Sequence, residues 1–183
     1  MGLQSPTRDA GTVRSKNDPT HTADMELPLV TTLTVPLRFV LGVLGGIVAV
    51  LVIDVVMARL PEGETPPFIA SGVLTDTPPE DAPGRLATVV HYLAGLLTGP
   101  LFVWLLLASE GLLGGPSPAT AAVATVVLYV LMVGFFAVVV LPQSRVAPDR
   151  LGAVRRDWAV SAAVYLAVLV PVVFVGSQLL VGG

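Results

Sequence analysis

The 183-residue sequence has no cysteine, two histidines, one lysine and only 13% charged residues. Without cysteine there can be no disulfide scaffold. Soluble domains carry about 25% charged and about 45–50% apolar residues; this chain is 54% hydrophobic, with a mean hydropathy of +0.82. That balance argues against a soluble enzyme and against a nucleic-acid binder. A His-Glu-x-x-His helix, a Gly-x-Ser-x-Gly elbow and a phosphate loop are all missing, so no motif announces a chemistry. The charges are biased as well: thirteen acidic residues face ten basic ones, and Lys16 is the one lysine. An acidic, lysine-poor exterior holds water and resists association in salt, which points to a halophilic archaeon. Arginine replacing lysine in a GC-rich bacterial genome gives the same bias.

The apolar residues gather into four blocks, at about 39–57, 86–107, 119–141 and 158–180. At 1.5 Å per residue each is about 30 Å long, the thickness of a bilayer's hydrocarbon core. Lipid offers no partner to backbone N–H and C=O groups, so these blocks must be helices. Their many valines do not override that constraint, and the polar–apolar alternation of a barrel strand is absent. Pro118 and Pro142 bracket the third block at the positions where helices start and stop. The expected fold class is therefore all-α, four transmembrane helices in an antiparallel bundle over residues 36–183.

Residues 1–35 are polar, broken by Pro6, Pro19 and Pro28, and read as a disordered tail. They lack the apolar centre of a cleavable signal, which leaves the first span as a retained anchor. Segment 58–85 reads as a long acidic loop with six prolines and five acidic residues. Within it Pro66–Thr75 is an apolar patch too short to span, lying on the surface, at the interface or between helices. Segment 108–118 reads as a tight Gly/Pro turn, and Glu110 as needing only water. Arg59, Arg85, Arg145, Arg150, Arg155 and Arg156 flank one side of the spans, against Arg38 on the other. By the positive-inside rule both long connections are cytoplasmic and both termini extracellular, in a multi-pass protein of the cell membrane.

Two ionisable side chains interrupt the apolar blocks, Asp54 and His91. A charge at the bilayer centre costs at least about 2.5–3.5 kcal/mol, so such groups face the bundle interior and find a partner. Asp54 lies five residues before Arg59, and His91 six after Arg85. In antiparallel spans both sit roughly 7–9 Å inside the same membrane face. Equal depth makes them partners for each other, as interhelical glue or as a site that handles protons or cations. One His and one Asp are too few ligands for zinc. Neither a metal nor another cofactor is expected, and no catalytic residue is assigned.

Gly42-x-x-x-Gly46 in the first span and Gly95-x-x-x-Gly99 in the second place small residues one turn apart, which lets backbones approach closely. Ala159, Ala163 and Ala167 form a similar stripe in the fourth. Trp158 reads as an interfacial anchor.

The run Gly46–Asp54, with Met57 after it, resembles the first span of small uncharacterised four-span membrane proteins of archaea and bacteria. Their pattern is Gly-x-x-Ala-Thr-x-x-Met-Asp and then Met; Gly46, Ala49, Asp54 and Met57 match it, while Val50 and Ile53 depart from it. Val90–Gly99 is similar too. The resemblance implies a membrane protein and brings no activity with it. The function expected is a structural or accessory component of a membrane complex, with the lipid bilayer and a membrane protein or second copy as partners. The alternatives are a small proton- or cation-handling transporter subunit using Asp54 and His91, and a membrane-embedded metal-dependent enzyme.

Overall fold

A computed structural model describes the backbone of residues 19–182 and the side chains of 34–179. Residues 1–33 and 34–183 are separate compact units. The expected disordered tail lies outside the described residues up to position 18; from Pro19 the backbone is helical. The elements are α1 (Pro19–Met57), α2 (Thr65–Thr75), α3 (Gly84–Leu113), α4 (Pro118–Phe135) and α5 (Leu151–Gly182). No strand occurs among the described residues. Four segments are long and apolar enough to cross a membrane: Thr34–Met57, Gly84–Leu113, Pro118–Gln143 and Leu151–Leu179. The architecture is an all-α antiparallel bundle, compatible with an integral membrane protein.

Local chemistry sets the helix ends. Ser117 caps α4 by accepting from Thr120 N–H at 3.2 Å, while Thr120 Oγ1 accepts from Ser117 N–H at 3.0 Å. Pro118 at the first helical position has no N–H to orphan. Gly114 closes α3 in the left-handed region at φ 89°, which costs glycine nothing. Only residues 114–117 separate α3 from α4. Beyond Phe135, α4 widens into a π-turn over Phe136–Val140 and then a 3₁₀ turn.

Besides α1, which starts at Pro19, two helices overrun their apolar blocks. The second extends through Leu113 rather than stopping near 107, so Glu110 is a helix residue instead of part of a turn. The fourth begins at Leu151 rather than 158, which brings Asp157 inside. Segment 58–85 also differs from a plain loop, because its apolar patch folds as α2. Pro66 and Pro67 preset the first turn. Ile69, Ser71 and Gly72 bury against the bundle, and Ser71 Oγ donates to the carbonyl of Pro83 at 3.0 Å. A minor core forms beneath α2 from Ile69, Phe136, Leu141, Val146 and Val154.

The main core holds Ala49, Val50 and Ile53 of α1 against Phe102, Val103 and Leu106 of α3 and Tyr165, Leu169 and Val173 of α5. The glycine motifs of α1 and α3 meet each other. A methyl group on Gly99 would come within 1.8 Å of the Gly42 carbonyl oxygen, and one on Gly46 within 2.8 Å of that of Gly95. Only hydrogen fits at this crossing. The alanine stripe of α5 is arranged otherwise: Ala163 and Ala167 are exposed and Ala159 is half-buried. The packing face of α5 is instead Ser161, Ala162, Tyr165 and Leu169.

Candidate functional site

Close approach of α1 and α3 at the glycine seam fixes what lies just beyond it. One turn past Val50, α1 presents Asp54; one turn before Gly95, α3 presents His91. His91 Nε2 lies 2.7 Å from Asp54 Oδ1. Tyr92 Oη donates to the other carboxylate oxygen, also at 2.7 Å. The two rings meet edge-on, centroids 5.2 Å apart at 67°. A carboxylate offers acceptors only, so the hydrogen shared with Oδ1 sits on Nε2; in that tautomer Nδ1 carries a lone pair. The side chain of His91 is 12% exposed and that of Asp54 33%. The cluster is a satisfied intramembrane polar site, with a carboxylate accepting from two donors.

Beside it lies a cavity of about 450 Å³, within the roughly 300–1,000 Å³ of small-molecule clefts. α3 and α4 wall it, Val50 of α1 and Tyr165 of α5 lie at its back, and Pro66 and Pro67 of α2 roof it. Trp158 contributes to its lining. Its indole donates to the Met132 carbonyl at 3.2 Å and its ring packs on Phe136, centroids 4.8 Å apart.

Comparison with protein-family models, curated proteins and solved structures returns no match. The site therefore has to be interpreted from its own chemistry.

Three further carboxylates matter. Glu62, just past α1, accepts two bonds from Arg150, Nε to Oε1 and Nη2 to Oε2, both 2.8 Å. Arg150 Nη1 also donates to Glu80 at 2.6 Å. The Arg150 bonds hold the Glu62 carboxyl down to about 2 against its burial, with Thr65 Oγ1 helping at 2.6 Å. Glu80 is lowered too, first by a backbone hydrogen bond and then by Arg150. Asp157 is fully buried, accepting from Glu62 N–H and from Arg156 Nε, each at 2.8 Å.

At the opposite end of the bundle Arg38 Nη1 meets Glu110 Oε2 at 2.6 Å, the side chains 5% and 11% exposed. Glu110 thus has a protein partner instead of water alone. Reading the sequence missed Tyr92, Asp157 and the Glu110 pairing. Helical spacing carried a signal for two of them: Val154, Asp157, Ser161 and Tyr165 share one face of α5, as do Val103, Leu106 and Glu110 on α3. Among the described residues no group of three or more His, Cys, Asp or Glu could hold a metal. His21 lies outside those whose side chains are described.

Proposed function

We propose that this protein is a non-enzymatic integral membrane component, structural or accessory to a larger membrane assembly. The observation that carries the reading is that each Asp and Glu of the four spans is paired within the chain. Asp54 has His91 and Tyr92, Glu110 has Arg38, and Asp157 has Arg156. Carboxylates so engaged stabilise a fold and are poorly placed to bind a passing cation.

The transport alternative needs a polar path from the level of Asp54 to that of Arg38. The described interior between them is Val50, Ala49, Gly46, Phe102, Val103 and Leu106, closely packed and apolar. The arginine balance supports a cytoplasmic position for segments 58–83 and 144–150 and an extracellular one for both termini. In the cysteine-free chain, Ala147→Cys should be labelled from the cytoplasmic side and Pro116→Cys from the outside.

Reconstitution tests the reading. Proteoliposomes of the full chain are expected to show no pH-driven proton or cation flux, while a membrane partner copurifies from the native membrane. A flux that vanishes in Asp54→Asn would establish the transporter in its place.

A further inference from the structure

We propose that the cavity between α3 and α4 binds a membrane amphiphile that carries a hydroxyl group, its hydrocarbon chain in the cavity and its hydroxyl on Nδ1 of His91. The lining is apolar apart from four side chains, and each has already directed its hydrogen elsewhere. His91 Nε2 bonds Asp54, Thr98 Oγ1 donates to the Ala94 carbonyl at 2.7 Å, Tyr165 Oη to that of Gly95 at 2.5 Å, and Trp158 Nε1 to that of Met132. What His91, Thr98 and Tyr165 still offer the cavity is acceptors, and Trp158 offers nothing polar. His91 Nδ1 has no hydrogen-bond partner and is not one of the fully buried unpartnered atoms among the described residues. A ligand must therefore bring a donor.

Neutrality follows from the same lining. No Asp or Glu lines the cavity among the described residues, and desolvating an unpaired ammonium costs several kcal/mol. A hydroxyl donates without that penalty. Lipid is the source because His91 lies seven residues into α3, roughly 10 Å from its start, and the walls include exposed Ala94, Leu101, Leu131 and Phe135. The opening thus faces the surroundings of the spans, where hydrocarbon chains are the solvent. Asp54 acts on the ligand only through His91: by fixing the ring's tautomer it keeps Nδ1 an acceptor.

The test uses fluorescence of Trp158, which lines the cavity. The chain has two tryptophans, so Trp104→Phe leaves Trp158 alone. The full chain in detergent is titrated with chain-brominated cetyl alcohol, with its methyl ether and with the corresponding amine. Saturable quenching is expected, with the alcohol about two- to tenfold tighter than the ether, the worth of one net hydrogen bond. Ala94→Phe and Leu131→Phe, both at exposed wall positions, should each remove the saturable component. The ring-nitrogen resonance of His91 in ¹⁵N-labelled protein should shift with alcohol and not with ether. Equal quenching by alcohol and ether, tightest binding by the amine, or quenching that survives both wall variants would each overturn the proposal.

Discussion

Where the span of α1 begins, Arg38 and Glu110 face each other alone, with the Arg38 Nε buried and unpartnered. Where that span ends, Asp54 accepts from two donors, and just beyond it Glu62, Glu80 and Asp157 share Arg150, Arg156, Thr65 and a backbone N–H. The first arrangement is a bare buried pair, whose attraction only offsets desolvation and whose rupture strands a charge. The second spreads its hydrogen bonds over many partners, so the loss of any one leaves the others in place. The two ends should therefore respond differently to the same kind of substitution.

The largest effect belongs to the isolated pair. Glu110→Ala leaves Arg38 buried without a counter-charge and should cost about 3–5 kcal/mol in reversible unfolding in detergent. The double replacement Arg38→Leu with Glu110→Leu should restore most of it. A single variant as stable as the parent would mean that the pair is hydrated.

At the networked end the pH response comes next. The folded value of Glu62, about 2, lies below the ordinary 4.5. Its contribution is thus fully present above about pH 4.5 and is lost as pH falls toward 2. Unfolding followed across that window should show declining stability, and Glu62→Gln should remove this part of the slope.

Smaller still is Tyr92→Phe, which removes one of two donors to Asp54. Hydrogen bonds between membrane helices average about 0.6 kcal/mol, and a loss of that order is expected. Arg145→Ala should be nearly silent, within about 0.5 kcal/mol. Its bond to Asp76, 2.6 Å long, joins side chains 55% and 90% exposed, and such surface pairs contribute little.

The four spans could be read from the sequence because lipid forces hydrogen bonding within each segment, which leaves length and hydropathy to decide. Asp54 and His91 were found by counting their depth from Arg59 and Arg85, a one-dimensional measure that antiparallel helices turn into proximity. The glycine faces were visible, and that they pack on each other follows from the same antiparallel pairing. Glu110 and Asp157 lie beyond the ends of the apolar runs but inside the helices, because a helix does not stop where its apolar run stops. The real ends are set by Gly114 and by the residues before Leu151. Arg38, the partner of Glu110, and the Glu62 N–H that Asp157 accepts from are 72 and 95 residues away, beyond the reach of any local pattern, whereas Arg156 is Asp157's neighbour in sequence. On α5 the alanine spacing marks a face without saying what it meets: Ala163 and Ala167 face outward.

A double-mutant cycle joining Asp54→Asn and His91→Ala, followed by unfolding in detergent, bears most directly on the intramembrane bond at the centre of this account. Groups in contact are expected to couple, the double variant losing less than the sum of the singles by about 0.5 kcal/mol or more. Strict additivity would contradict it.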